Sequence, residues 1–194
     1  MSKIFNELSI VIPCKNDEIT LINKIPELIK FCDEMINSYE IIIVINGSTE
    51  KNKKILESFI TDRKFSNIKI TSSTKIGKGA GIRKGLEISS YNEVLFSDAD
   101  FSVSISYFTK FVNKDSQLLG DFVVGSRKLE NSKISNTPIT RIVTGYLYTL
   151  VVKVFLGLNI SDTQCGFKAI NKEKFKSYSE FQMNGFSFDV ELFF

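Results

Sequence analysis

The chain alternates short, unbroken apolar runs with longer stretches in which apolar residues return every three or four positions. Leu8 to Pro13 (LSIVIP) and Tyr39 to Ile45 (YEIIIVI) are runs of the first kind. A strand buried on both faces needs apolar side chains at successive positions, so both read as interior strands. Between them Leu21, Ile22, Ile25, Leu28, Ile29 and Cys32 recur at helical spacing. Asp17 is placed to cap that helix, and Pro26 is expected to kink or restart it. A second helix carries Ile55, Leu56, Phe59 and Ile60, and Ile68 and Ile70 mark a third strand. The Gly-rich stretch 77–85 opens a third helix, and Val94 to Phe96 is a fourth strand ending at Ser97-Asp98-Ala99-Asp100. Strand–helix alternation of this kind predicts an α/β fold with a mainly parallel central sheet and helices on both faces. Ligands in such sheets sit beyond the carboxyl ends of the strands, where most of the polar clusters below fall.

The second half is less regular. Phe122 to Gly125 reads as a strand leading to Ser126-Arg127, and a polar loop at 128–137 precedes a long apolar helix. From Ile142 to Ile160 the only charge is Lys153. A lysine in mid-bilayer costs a few kcal/mol, so this segment is read as a buried or interfacial helix rather than a span. Ser161 to Ala169 is a loop entering a short strand, and the chain stops at DVELFF inside a starting helix. No repeat or linker stands out. The expectation is one catalytic-sized domain over residues 1–194, truncated at its C-terminus.

Composition narrows the chemistry. Hydrophobic residues are 43% and charged residues 24%, ordinary for a chain that buries a core. A net charge of +3 without a basic run gives no ground for a nucleic-acid partner. The chain has no His, which removes the commonest general base and metal ligand. A metal here must be held by oxygens, which points to Mg²⁺ or Mn²⁺. Cys14, Cys32 and Cys165 are odd in number and far apart, and no apolar leader precedes the first strand. Both features suit a reduced, cytoplasmic chain.

Asp98-Ala99-Asp100 is the strongest local signal: two carboxylates one residue apart at a buried strand's exit can serve one hard cation beside a diphosphate. The stretch Lys75 to Arg83, with Lys78, Gly79 and Arg83, follows a strand and opens a helix, as an anion-binding turn would. It is not a dinucleotide fingerprint, because Ile82 stands where a glycine is needed, nor a Walker loop, because Gly79 follows Gly77-Lys78. A tight turn explains it equally well. Arg127 follows a strand and Arg141 sits near the start of the apolar helix, and arginines near an apolar surface suit an anionic lipid head. Asp162, Gln164 and Lys168 precede a strand, and Asp189 and Glu191 could orient a substrate or cap a helix.

The segments SIVIPCKNDE, EIIIVINGSTE, GKGAGIRKGL, FSDADFS, GSR, DTQCGFKAI and FSFDVELFF, in this order, resemble glycosyltransferase family 2 with its GT-A fold. The nearest resemblance is to polyprenyl-phosphate (dolichyl-phosphate) sugar transferases, with DTQCGFK closest to the glucosyl branch. That resemblance implies an inverting transferase that moves a sugar, glucose favoured, from a nucleotide-sugar to a lipid phosphate. UDP is favoured over GDP in the donor, with Mg²⁺ or Mn²⁺ on Asp98 and Asp100. It places Pro13, Asn16 and Glu18 beside the nucleotide and Ser102 near the metal. Arg127 and Arg141 would hold the acceptor phosphate, and Asp162, Gln164 and Lys168 would line the sugar or acceptor side. It also implies peripheral association with the cytoplasmic face of a membrane. Relatives carry two acids where Ile45 and Asn46 stand, just before the matching Gly47, so Asn46 is expected to meet the base through its amide. The alternative is a family 2 transferase acting on a saccharide or protein acceptor.

Overall fold

A computed structural model describes residues 3–126 and 165–192. A six-stranded sheet runs in the order β3-β2-β1-β4-β6-β5. β1 (Phe5–Cys14), β2 (Ile36–Ile45), β3 (Ile68–Ser72) and β4 (Glu93–Phe96) are mutually parallel. β6 (Lys168–Asn171) runs antiparallel to both β4 and β5 (Phe122–Val124), so the parallel sheet expected from the sequence closes on an antiparallel edge. The chain steps outward from β1 to β2 to β3 and then returns to lay β4 on the other side of β1. That reversal makes the carboxyl ends of β1 and β4 the switch point of the sheet.

The two buried runs behave as interior strands do. Ile10, Ile12, Ile41, Ile43 and Ile45 point into one core with α1 (Glu18–Met35) and α2 (Glu50–Arg63). Val11, Ile42 and Val44 point into the other with α3 (Lys78–Ile88) and α4 (Phe188–Glu191). Successive side chains of a strand face opposite ways, so an unbroken apolar run fills two cores at once. β1 and β2 start earlier than the apolar pattern suggests because Phe5 pairs with Ile36 in register. α1 runs unbroken through Pro26, and Asp17 occupies its N-cap position without a capping side-chain bond. α2 does have a side-chain cap, Thr49 accepting from the Asn52 amide at 3.3 Å.

At the far end of the sheet from the switch point, buried Glu40 ties four segments together. It accepts from Ser9 Oγ at 2.7 Å, Lys69 Nζ at 2.6 Å and the Ser90 amide at 2.5 Å. Burial alone would raise its carboxyl, but these donors outweigh it and hold the group below its ordinary value of 4.5. A depressed carboxyl contributes stability above its unfolded value and loses it as pH falls through the folded one. Glu40→Gln should therefore cost about 1–3 kcal/mol at pH 7. In urea titrations the gap from wild type should narrow as pH drops below 4.5.

Candidate active site

β4 leaves the sheet at Phe96, and the chain turns at once. The Phe101 amide bonds the Asp98 carbonyl at 3.1 Å, and Phe101 takes a left-handed φ of 47°. Ala99 is buried inside this turn, which sets Asp98 half-buried and Asp100 exposed on either side of it. Asp100 Oδ1 accepts the Ser102 amide at 2.9 Å, so Ser102 fixes the rotamer of that carboxylate through its backbone. Asp98 lies against the backbone of Gly166, where a Cβ would sit 1.9 Å from Oδ2. Any larger residue at 166 would push the carboxylate out of place.

The Gly-rich stretch solves a packing problem. A Cβ at Gly85 would lie 2.1 Å from Val11 Cγ1, and one at Gly81 2.9 Å from Pro13 Cβ. On the helix's other side, a Cβ at Gly79 would lie 2.3 Å from the Met183 carbonyl oxygen, and one at Gly77 2.1 Å from that of Asn184. α3 thus sits backbone-close to β1 and to the segment 181–188 together. Arg83 secures that segment by donating to the Phe181 carbonyl at 2.6 Å and to Asn184 Oδ1 at 2.5 Å. Gly79 and Arg83, both expected at the substrate, thus lie against the segment 181–188, Gly79 covered by it and Arg83 bonded to it.

This close approach assembles a line of alternating charges. Lys78 Nζ is 2.5 Å from Asp98 Oδ1. Behind them Lys168 and Asp189 form a buried ion pair, their side chains 1% and 3% exposed. Burial pulls the Lys168 ammonium below its ordinary value and pushes the Asp189 carboxyl above its own, each opposed by its partner's charge. Lys78 and Asp98 also act on Asp189, so the four groups form one electrostatic unit. Lys168, expected to line the sugar, instead lies beneath the site, and Asp189 neither caps α4 nor reaches solvent.

Other expectations are revised by their partners. Asn46 is buried, and both halves of its amide are used: Oδ1 accepts the Gly77 amide at 2.5 Å, and Nδ2 donates to the Lys75 carbonyl at 2.8 Å. It clamps the loop before α3 rather than presenting its amide to a base. Glu18, expected beside the nucleotide, is fully buried in the first turn of α1, with neither carboxylate oxygen hydrogen-bonded among the described residues. Burial, and then the charge of Glu18, pushes the neighbouring Cys14 thiol up to about 12. Glu191 accepts the Gln182 and Met183 amides at 3.0 and 2.7 Å. Asn16, with φ of 61°, accepts the Thr49 amide at 3.1 Å and joins the β1 and β2 exits. Pro13 and Gly47 lie at those same exits, Gly47 exposed with φ of 83°. Arg127, Arg141, Asp162, Gln164 and the apolar stretch 142–160 lie outside the described residues. Elsewhere, among the described residues, no helix is long and apolar enough to cross a membrane. Gly166 and Phe186 were missed as site residues. Phe186 is exposed and has the Lys78 ammonium 5.9 Å from its ring centroid.

The donor set fits a hard divalent cation. Asp98 and Asp100 offer carboxylate oxygens from one turn at the switch point, and Asp98 already draws a cationic group. Among the described residues no third acidic, Cys or His side chain completes a cluster. A cation held there would need further ligands from phosphate oxygens and water, as Mg²⁺ and Mn²⁺ commonly take.

Comparison with known proteins agrees with this geometry. The family model for glycosyl transferase family 2 matches residues 9–179. Dolichyl-phosphate beta-glucosyltransferase of Dictyostelium discoideum is 28% identical over 199 residues, covering 96% of this chain and 61% of the relative. The Homo sapiens protein of that name is 29% identical over 209 residues, covering 97% and 62%. The chain thus spans about three fifths of the length of these curated relatives. Among solved structures, glucosyl-3-phosphoglycerate synthase from Mycobacterium tuberculosis was crystallised with Mn²⁺, UDP-glucose and phosphoglyceric acid. It superposes with a TM-score of 0.67 at 18% identity, covering 96% of this chain and 64% of that one. With a matching sheet, a carboxylate pair at its switch point and a family model that spans most of its length, this chain belongs to glycosyl transferase family 2 and has the GT-A fold.

Proposed function

We propose that this chain is the catalytic domain of an inverting glucosyltransferase that moves glucose from UDP-glucose to a dolichyl or other polyprenyl phosphate at the cytoplasmic face of a membrane. The observation that carries the reading is the exit of β4, where Asp98 and Asp100 stand at the switch point with Lys78 beside them. The names of the curated relatives support the glucose and the lipid phosphate. The ligands crystallised with the mycobacterial synthase support UDP-glucose and a divalent ion.

Asp98 and Asp100 would hold the divalent cation, which would supply positive charge to the diphosphate that leaves with UDP. The remaining work falls to the chain itself. A lipid phosphate is ionised near neutral pH and attacks the anomeric carbon without a strong base, which suits a chain that has no His. The obstacle is bringing two anions together: at ~4 Å, unit charges repel by about 4 kcal/mol at an effective dielectric of 20. Lys78 at the site, with Arg127 and Arg141 on the acceptor side, offsets that repulsion and aligns the groups. The buried Lys168–Asp189 pair fixes the floor on which Asp98 rests.

Asp100→Ala should lower the transfer of labelled glucose from UDP-glucose to dolichyl phosphate by about 100-fold or more. Retained transfer at saturating Mn²⁺ would count against the carboxylate pair. Arg127→Ala should raise KM for the lipid phosphate while leaving the affinity for UDP unchanged. Transfer to free sugars or peptides that ignores Arg127 would favour a saccharide or protein acceptor.

A further inference from the structure

Lys78 is oddly placed for a cation. It opens α3, and a helix N-terminus carries partial positive charge that disfavours another. No acidic residue occupies that helix's first turn, and Gly77 offers no capping side chain. The lysine is nevertheless drawn in: its side chain is 14% exposed, its ammonium lies 2.5 Å from Asp98 Oδ1, and the ring of Phe186 flanks it. The more enclosed of the two candidate metal carboxylates therefore already holds a positive group belonging to the protein.

We propose that Lys78 is an exchangeable stand-in for the divalent cation at Asp98. It neutralises Asp98 while no donor is bound, competes with the metal for that carboxylate, and moves onto the diphosphate when the donor arrives. An ammonium 2.5 Å from Asp98 Oδ1 and a dication on the same carboxylate repel each other, so the two compete for it. Lysine's four-carbon stem lets the ammonium swing away without moving the helix. A diphosphate arriving at the start of α3 offers it a new anionic partner where the helix dipole favours negative charge. Metal alone leaves the displaced Lys78 without an anionic partner, whereas the donor's diphosphate receives it, so the two ligands bind with positive coupling, each raising the affinity of the other. The inference rests on the metal-site reading above.

The test is Mn²⁺ binding to the whole chain, followed by the electron paramagnetic resonance signal of the free ion, with and without UDP. Lys78→Gln should bind Mn²⁺ alone about fivefold tighter than wild type. UDP should enhance Mn²⁺ binding less in that variant than in wild type. Lys78→Arg keeps the charge and should resemble wild type. Equal or weaker Mn²⁺ binding by Lys78→Gln in the absence of UDP overturns the proposal, provided its circular dichroism is native. Lys78→Met replaces it under the same criteria if the glutamine variant does not fold. Asp100→Asn separates the two readings. If it abolishes the Mn²⁺–UDP complex while Lys78→Gln matches wild type, only the exchange is wrong. If the complex survives Asp100→Asn, the metal site is wrong and the exchange falls with it.

Discussion

The site depends on how closely three backbones can approach one another. α3 lies against β1 on one side and the segment 181–188 on the other, and each contact is made where a side chain is missing. Cβ atoms at Gly77, Gly79 and Gly85 would fall 2.1 to 2.3 Å from neighbouring atoms, well inside contact distance. Because nothing intervenes, Lys78 reaches Asp98 and the start of α4 brings Asp189 onto Lys168. A fourth glycine, Gly166, lets β6 pass directly beneath the Asp98 carboxylate. The Gly-rich stretch therefore acts mainly on geometry, and its chemistry comes from the one lysine it carries.

Given that geometry, the electrostatics follow. Burying Lys168 with Asp189 is costly for each charge, and a buried pair of this kind is weak grounds for stability. Its position gives it another use: it is a rigid, net-neutral floor under an exposed carboxylate pair. Exposure increases toward solvent, from the sealed pair through Lys78–Asp98 to the open Asp100. Such a gradient suits a highly charged ligand that must enter, be neutralised and leave. Glu40 plays a separate part at the opposite end of the sheet, where its hydrogen bonds lock the strands that carry the site.

β1, β2 and β4 were legible because each carries an unbroken apolar run, β3 because Ile68 and Ile70 alternate, and the carboxylate pair because it ends β4. The run LSIVIP became the central strand, with Ile10 and Ile12 in one core and Val11 in the other. Partnerships between distant residues were not legible. Asn46 looks like a base-reading amide in sequence, yet its partners are backbone groups 29 and 31 residues away. Arg83 looks like a phosphate ligand, yet it is satisfied by residues 98 and 101 positions on. Glu191 looks like a candidate base, but the loop just before it takes up its carboxylate. In each case the side chain has partners within the chain that its local sequence does not reveal. The antiparallel edge was hidden for a similar reason: β5 and β6 are short, and pairing rather than periodicity defines them.

The central claim is that Asp98 and Asp100 hold a divalent cation through which a nucleotide-sugar is bound. Thermal unfolding of the chain with UDP-glucose, in the presence of Mn²⁺ and then of a chelator, tests it most directly, because a ligand that binds only the folded state raises the midpoint. The account predicts that UDP-glucose raises the midpoint with Mn²⁺ and loses that effect with the chelator. An equal rise in both conditions, or none in either, would contradict it.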